Sequence, residues 1–509
     1  MTKTLLIRSD ASGQIGTGHV MRCLALAHVA RASWNVVFVC AQIPIALESR
    51  LTEAGFAVHR SNEMLGSLED AKATAQLVQQ LKASVLVLDG YQFDELFEQH
   101  VKSQLAPTSR MLAFDDEGIE PHSSVDVVLN QNHGAEQFAP NYSSYATALL
   151  GSRFALLRPE FLAWHHWQRP IPTRVSRILV TFGGSDPGNH SLRILQALEY
   201  ANEPLEIRVL VGAANPHLQS LQAQVANSRH QLELYQNVTD IPTMLAWAEF
   251  AVSAAGSTIW ELAFMNVPAL VAVVAQNQTV IANAMDGVAG MRSLGWINKC
   301  SPDELVAGLQ NAISRAYERP LTGRHLIDGW GAERVLGAIN ADAFWLRPVI
   351  IEDAQQIWQW ANDSEVRQIS FNADLIPWET HLAWLTQKLE DQRSVMLLAS
   401  SLLEQADQPL GLVRFDSDGE YAVVSVILAA QARGRGLGAR LLERATQRYL
   451  KASKAKAVHA FIKTENGRSV RAFEKAGYAE AVETFVQGAT AWRLSYARDK
   501  HSAEPGGRL

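Results

Sequence analysis

Cysteine is scarce in this chain of 509 residues: Cys23, Cys40 and Cys300 are the whole supply, and no two form a CxxC pair. That excludes a disulfide framework and gives no structural zinc site, so a reducing cytoplasm is the expected compartment and no metal is expected. Blocks of one charge are missing too. The 45 Lys and Arg are spread among 52 Asp and Glu for a net charge of −7, whereas binding a phosphate backbone normally takes a basic face; no nucleic-acid partner is expected. No apolar run approaches the ~20 residues of a membrane span; the longest, Val267–Ala275, has strand length, so no membrane partner is expected either. The opening Thr-Lys-Thr-Leu-Leu-Ile reads as a strand rather than a signal peptide. No repeat with a period of ~20–50 residues is visible. With 48% apolar and 19% charged residues, the composition is that of a globular cytosolic enzyme.

Length alone suggests about three domains. From Thr4 to about Pro159, apolar strand-like runs (Leu5–Ile7, Val36–Val39, Val85–Leu88, Leu112–Phe114, Val127–Leu129) alternate with helical segments such as Val20–Ala30 and Leu68–Lys82. This rhythm predicts parallel strands with crossover helices. Arg158–Thr173, with its prolines and clustered aromatics, breaks it and reads as a connection between lobes. A second series follows at Ile178–Thr181, Ile207–Val211, Phe250–Ser253 and Ala269–Val274, closed by helical sequence near Pro302–Ala338. The character changes again at Asn340–Arg347. A helix over Asp353–Asn362, strands near Ser394–Ser400, Pro409–Phe415 and Ala422–Ile427, and a helix over Ala439–Leu450 make a separate α/β domain. The expected boundaries are 1–160 and 161–340 for the two lobes, 345–495 for the third domain and 496–509 for a loose tail.

Glycine-rich turns mark the sites. In Arg8-Ser-Asp-Ala-Ser-Gly-Gln-Ile-Gly-Thr-Gly-His-Val-Met-Arg, the glycines Gly13, Gly16 and Gly18 permit a tight turn and close approach of a ligand, and the following helix start offers unpaired N–H groups. The dinucleotide fingerprint fails because its third glycine would fall at Met21, which argues against nicotinamide or flavin. His19 stands at the helix mouth, either as a neutral base or as a cap of the loop. Arg22, one turn on, faces the same ligand or solvent. In the second lobe, Val180-Thr-Phe-Gly-Gly-Ser-Asp-Pro-Gly-Asn repeats the strand-to-turn design and contributes Gly184 and Ser185. The run Gly256-Ser-Thr-Ile-Trp-Glu261 places Ser257 and Thr258 at a helix start suited to a pyrophosphate. Glu261 takes ribose hydroxyls or is an ordinary first-turn glutamate. Gln276-Asn-Gln278 offers Asn277 and Gln278 as neutral partners for a sugar. Asp10, Asp89 and Tyr91 end or follow strands and hold sugar or water unless they are structural, and Asp115-Asp116 carries the same two readings.

Together the GTGHVMRCLALA loop, FGGSDPGN, LLRPEF (Leu156–Phe161) and GSTIWE resemble the UDP-sugar hydrolases of pseudaminic acid biosynthesis, over roughly residues 3–340. The resemblance implies a two-lobed GT-B fold and hydrolysis of UDP-2,4-diacetamido-2,4,6-trideoxy-β-L-altropyranose to UDP and free sugar by water attack at the anomeric carbon. It puts the family's catalytic histidine on His19 and its nucleotide-binding glutamate on Glu261.

In the third domain, Val424-Ser-Val-Ile-Leu runs into Arg433-Gly434-Arg435-Gly436-Leu437-Gly438 and a helix, a turn that sets successive N–H groups around a pyrophosphate. Asn466-Gly-Arg-Ser-Val-Arg-Ala-Phe-Glu-Lys-Ala-Gly-Tyr478 follows as a helix ending at Gly477. The pair resembles the GNAT acetyltransferases over about residues 345–495, and LRPVIIEDAQQIWQWANDSEVR with PWETHLAWL resembles the branch that acetylates an amino sugar of the same pathway. The resemblance implies acetyl-CoA as co-substrate, held by Arg433–Gly438, with a splayed strand near Ile427 and pantetheine contacts from Asn466 and Ser469. The tyrosine that many relatives use as acid is replaced by Phe473; Tyr478 either substitutes for it or packs the last strand.

The sequence thus predicts an α/β protein with two Rossmann-like lobes of the GT-B type followed by a GNAT α/β domain. The expected activity is N-acetylation of UDP-4-amino-4,6-dideoxy-β-L-AltNAc, then hydrolysis of the product. A GT-B glycosyltransferase fused to the acetyltransferase is the first alternative, since fold does not decide function. A nucleotide-sugar binding scaffold fused to a protein acetyltransferase is the second. The sequence leaves the oligomeric state open.

Overall fold

The computed structural model describes residues 3–212, 215–318, 320–402 and 407–498; the expected tail, 496–509, lies outside the described residues from 499 on. The chain falls into two compact units, the main division lying between Val335 and Leu336.

In the first lobe, strands β1 (Lys3–Ser9), β2 (Trp34–Cys40), β3 (Ala57–Arg60), β4 (Ala83–Asp89), β5 (Arg110–Phe114), β6 (Val127–Asn130) and β7 (Thr147–Leu150) form a sheet in the order β3-β2-β1-β4-β5-β6-β7. Pairing is parallel from β1 through β4 to β7 and between β2 and β3. The central strands are apolar without alternation, as Leu5-Leu-Ile7 and Val85-Leu-Val-Leu88 show, because both faces are covered and buried. Strand order reverses between β1 and β4. That reversal opens a crevice at the strands' carboxyl ends, where the glycine loop leaves β1 and Asp89 ends β4.

The second lobe repeats the plan. β8 (Arg177–Thr181), β9 (Glu206–Val211), β10 (Gln231–Gln236), β11 (Phe250–Ala254), β12 (Ala269–Val273) and β13 (Met291–Trp296) order as β10-β9-β8-β11-β12-β13, all in parallel. The segment expected to connect the lobes is rooted here. Phe161 is fully buried in the second lobe's core, and Trp164 and Trp167 pack against that core. Arg324 donates to the carbonyls of Trp164 and His165. The strands absent from the sequence reading of the lobes are β3, β7, β10 and β13. All four are sheet edges, where partial exposure weakens the apolar run that marks an interior strand.

The third domain carries β14 (Phe344–Pro348), β15 (Ser394–Ser401), β16 (Pro409–Ser417), β17 (Tyr421–Leu428), β18 (Ala457–Lys463), β19 (Ala479–Val486) and β20 (Ala489–Ala497), ordered β14-β15-β16-β17-β18-β20-β19. Its pairings are antiparallel except between β17 and β18, which pair in parallel over only three rungs, from Tyr421 opposite Ala457 to Val423 opposite His459. Beyond them β17 continues to Leu428 without β18 beside it, so the sheet opens into a V. The helix Leu437–Ala452 buries Leu441, Leu442, Ala445, Tyr449 and Leu450, and Tyr449 stacks on Phe415 of β16 at 4.4 Å. Among the described residues no helix is long and apolar enough to cross a membrane.

Two features make the first unit testable. A Cβ added at Gly331 would sit 2.2 Å from the carbonyl oxygen of Ala155 and 2.6 Å from the carbonyl carbon of Phe154, both backbone. Overpacking of this kind costs about 1–3 kcal/mol. Gly331→Ala should therefore lower the unit's thermal midpoint by about 3 °C or more, whereas Gly13→Ala, where the new atom meets nothing within 4 Å, should leave it in place; differential scanning calorimetry reads both.

The second feature is His122, buried in the β5–β6 loop with Nδ1 2.7 Å from Glu98 Oε1 and Nε2 3.6 Å from Asp115 Oδ2. Burial disfavours the imidazolium, but the carboxylates of Asp115 and Glu98 beside the ring prevail and raise the pKa to about 10. The charged ring thus stabilises the fold fully below the unfolded-state pKa, and this contribution fades as pH rises through about 10. The difference in thermal midpoint between the native protein and His122→Gln should be largest near pH ~6, below the ordinary His value of about 6.5, and shrink steadily toward alkaline pH.

Candidate active site

The β1–β4 crevice assembles the amino-terminal site. The helix Gly18–Ala30 begins directly after the glycine loop, which is closed by the Gly16 N–H on the Ser12 carbonyl and turned by Gly16 at φ 80°. His19 is nearly buried, and its Nδ1 lies 2.6 Å from Oδ1 of Asp89, the last residue of β4. Arg22 donates from Nε to Asp89 Oδ2 at 2.7 Å and from Nη2 to Asp89 Oδ1 at 2.6 Å. Its Nη1 donates to Asp116 Oδ1, after β5, at 2.8 Å. Arg22 Nη2 is also 3.2 Å from His19 Nδ1. Both Nη2 and Nδ1 lie at 2.6 Å from the same carboxylate oxygen, so Nδ1 carries a proton for Asp89 and does not accept from Arg22. The remaining ring nitrogen, Nε2, then holds the free lone pair of the neutral ring.

Electrostatics follow from this packing. Burial pushes the Asp89 carboxyl up, but the Arg22 guanidinium and His19 outweigh it and hold it well below the usual carboxylate range. Burial likewise works against the Arg22 charge, and Asp116 and Asp89 overcome it and raise its pKa. Tyr91 sets its ring edge-on to His19 at 5.0 Å. Its hydroxyl donates to Asp116 Oδ2 at 3.0 Å and accepts from Asn277 Nδ2 of the second lobe at 2.8 Å. Burial and then Asp116 push the Tyr91 phenol well above its ordinary value, so it works as a hydroxyl.

Two sequence expectations change here. Asp10 is not free to meet a sugar: it is buried and accepts from the amides of Ala41 at 2.6 Å and Gln42 at 2.8 Å, from Arg8 and from Gln92. It fastens the end of β1 to the end of β2. Arg22 does not face a ligand either, because Asp89 and Asp116 occupy its Nε, Nη1 and Nη2; it stands behind His19.

The second lobe presents its turns to this loop. An added Cβ on Gly18 would lie 3.8 Å from Ser257 Oγ, and one on Gly184 would lie 3.1 Å from Thr17 Oγ1. The Gly184-Ser185 turn is held by Asp186, whose carboxylate accepts from the amides of His190 and Ser191 at 2.8 and 2.9 Å. Gly256 and Ser257 lead into the helix Thr258–Phe264, and the Ser257 side chain does not cap it. Gln278 Oε1 accepts from the Val274 amide at 3.0 Å, which brings its Nε2 3.9 Å from a Cβ placed on Gly256. Glu261 Oε1 accepts from Arg158 Nε at 2.9 Å, and Nη2 lies equally close. Burial raises the Glu261 pKa against the pull of Arg158. Arg158, absent from the sequence-derived site, was signalled there only by its place in the LLRPEF motif.

In the third domain the expected cofactor loop lies where the V of β17 and β18 opens. Gly434 and Gly436 have φ of 76° and 75°, a backbone that favours glycine, and Gly436 is the N-cap of the helix Leu437–Ala452. The turn thereby aims the first amides of this helix outward, a fit for a pyrophosphate; Arg435 is exposed beside it and Gly438 lies under Leu428. Ile427 stands on the open part of β17. Arg433 turns away: its amide closes on the Ala430 carbonyl, and its guanidinium meets Asp363 at 3.0 Å, Glu365 at 3.2 Å and the Leu428 carbonyl at 3.1 Å. Asn466 Oδ1 accepts from the Ser469 amide at 3.1 Å and caps the helix Gly467–Lys475, so that oxygen is engaged locally. Tyr478 does not take the place of the missing acid. It is 2% exposed, its hydroxyl is 2.6 Å from Thr446 Oγ1, burial pushes its pKa well up, and it packs between Phe473 and Tyr496.

Comparison with known proteins assigns these parts. Residues 344–479 match the acetyltransferase (GNAT) domain model, and residues 178–320 match the glycosyltransferase family 28 C-terminal domain. The chain is 28% identical over 263 residues to the UDP-2,4-diacetamido-2,4,6-trideoxy-β-L-altropyranose hydrolase of Campylobacter jejuni, covering 50% of this chain and 86% of that one. It is 24% identical to a pseudaminic acid cytidylyltransferase and UDP-2,4-diacetamido-2,4,6-trideoxy-β-L-altropyranose hydrolase of Helicobacter pylori, covering 53% of this chain and 47% of that one. An uncharacterized protein of Methanocaldococcus jannaschii is 21% identical over 408 residues, 75% of this chain and 77% of its own length. With its two Rossmann-like sheets and its split third sheet, the chain is a fusion of a GT-B type part, homologous to these UDP-sugar hydrolases, with a carboxy-terminal GNAT acetyltransferase domain.

Proposed function

We propose that this is a bifunctional enzyme acting on a UDP-linked amino sugar. The GNAT domain acetylates the 4-amino group of UDP-4-amino-4,6-dideoxy-β-L-AltNAc, and the two-lobed part hydrolyses the resulting UDP-2,4-diacetamido-2,4,6-trideoxy-β-L-altropyranose to UDP and the free sugar. The observation that carries the reading is His19, seated at the β1–β4 reversal with Nδ1 engaged by Asp89 and the second lobe's Ser257 beside its loop. A neutral imidazole there suits a base that takes a proton from water as its oxygen attacks the anomeric carbon. The diphosphate leaves with the bonding electrons, and its growing charge suits the amides and hydroxyls of Ser257 and Thr258 at the opening of their helix. In this reading Glu261, steadied by Arg158, receives ribose hydroxyls, while Asn277, Gln278, Gly184 and Ser185 supply neutral contacts to the sugar and phosphates.

In the GNAT domain, the Gly434–Gly438 turn fits the pyrophosphate of acetyl-CoA. The gap between β17 and β18 leaves strand amides near Ile427 for the pantetheine arm and the thioester carbonyl. The acceptor amine attacks that carbonyl, the carbon–sulfur bond breaks, and the thiolate leaves with the electron pair and ends as the thiol, the balance being made by the proton that the amine nitrogen gives up.

The family 28 match favours a second reading, transfer of the sugar to an acceptor other than water. Release of UDP from the diacetamido substrate with no acceptor present separates the two. His19→Ala should abolish that release by about 10²-fold or more, the scale of general base catalysis, while acetyl transfer from acetyl-CoA continues; normal UDP release by this variant would remove His19 as the base. Since the Tyr478 hydroxyl is buried against Thr446, Tyr478→Phe should keep acetyl transfer within about threefold and cost about 1 kcal/mol of stability, the worth of one buried hydrogen bond. A loss of acetyl transfer with the fold intact would restore Tyr478 as the acid.

A further inference from the structure

Asp89 is fully buried, and the groups around its carboxylate all belong to the protein. His19 Nδ1 is 2.6 Å from Oδ1, Arg22 bridges both oxygens, and Cys23 Sγ is 3.3 Å from Oδ2. Arg22 is fixed in turn by Asp116, and Asp116 by the Tyr91 hydroxyl. Of the charged and titratable groups in this cluster, Arg22 from its own helix, Asp89 from β4 and Tyr91 from the loop after β4 meet His19 directly, while Cys23 from its own helix and Asp116 from the loop after β5 stand behind them. With Arg22 cationic and Asp89 and Asp116 anionic, the cluster carries one net negative charge while His19 is neutral.

We propose that Asp89 is a positioning residue for His19 in UDP-sugar hydrolysis, an inference that rests on the reading of His19 as base. Its carboxylate accepts from Nδ1–H, which confines the neutral ring to the tautomer whose lone pair is on Nε2 and fixes the direction of that lone pair. As water's oxygen bonds to the anomeric carbon and the bond to UDP breaks, Nε2 takes the water proton. The imidazolium so formed cancels the cluster's negative charge beside Asp89, which stays ionised because Arg22 holds it so. Arg22 thereby serves the reaction without touching substrate: it prevents the carboxylate from turning away or taking up a proton.

The test uses the full chain with the purified diacetamido UDP-sugar, and acetyl transfer by the same sample reports its integrity. In Asp89→Asn the amide can present N–H toward Nδ1 and favour the wrong tautomer. The expected result is a fall in kcat of roughly 10²- to 10⁴-fold, the scale seen when an orienting carboxylate becomes an amide, with KM changed less than about threefold. The pair His19→Ala and His19→Ala/Asp89→Asn should hydrolyse at the same residual rate, since Asp89 acts only through the ring; a merely structural role would lower the double variant further and overturn the proposal. Unchanged kcat in Asp89→Asn, with His19→Ala inactive, would overturn the proposal and leave the base assignment standing. Activity in His19→Ala would overturn both. If Asp89→Asn does not fold, selective ¹⁵N labelling of histidine in the native protein decides: the neutral His19 ring should be protonated on Nδ1, and protonation on Nε2 would overturn the proposal.

Discussion

The ion pair between Arg22 and Asp89 governs the amino-terminal half of this protein. It ties the first helix to the end of β4 across the reversal of strand order, deep enough that removing either partner would leave an uncompensated buried charge. Loop, helix start and catalytic candidate are therefore not free to settle independently. Asp116 and Tyr91 extend the same restraint to the loops after β5 and β4. Through Asn277 it reaches the second lobe. A flexible glycine loop would place a histidine poorly; this one is anchored one turn downstream by an arginine with no room to move.

The two halves of the chain solve a related problem with the same means. On the proposed function each must hold a diphosphate, and each ends a strand in a glycine turn that opens a helix, at Gly256–Thr258 and at Gly434–Gly438. Backbone amides at a helix start give an anion directed hydrogen bonds together with the favourable end of the dipole. What differs is what lies beside the turn. The first case has the facing first lobe, which bears His19; the second has a sheet with a gap between two of its strands.

Much of this is legible in the sequence. Unbroken apolar runs mark the interior strands of the two lobes, and glycine turns mark strand ends there and after β17, so the positions of His19, Ser257 and the Gly434–Gly438 turn follow from local pattern. Side-chain partnership did not. Asp10 and Asp89 look alike in sequence, as acids at strand ends, and only the strand order shows that Asp10 bonds toward β2 while Asp89 meets His19. The cofactor reading of Arg433 and the acid reading of Tyr478 give way for a related reason. Both residues sit in recognisable motifs, but one side chain is drawn off by Asp363 and Glu365 and the other by Thr446, partners separated from them by at least about thirty residues. The edge strands escaped because exposure removes the pattern by which strands are found.

The segment bearing Phe161, Trp164 and Trp167 is embedded in the second lobe, and this has a bearing on how the proposed nucleotide would be gripped. Arg158 lies just ahead of that anchor and is bonded to Glu261, so the two share one rigid body. A rotation of the lobes would part Asn277 from Tyr91 yet carry the arginine–glutamate pair along whole. On the proposed function, the half of the cleft that meets ribose is thus preassembled, and the half that meets the sugar is completed only by docking of the lobes.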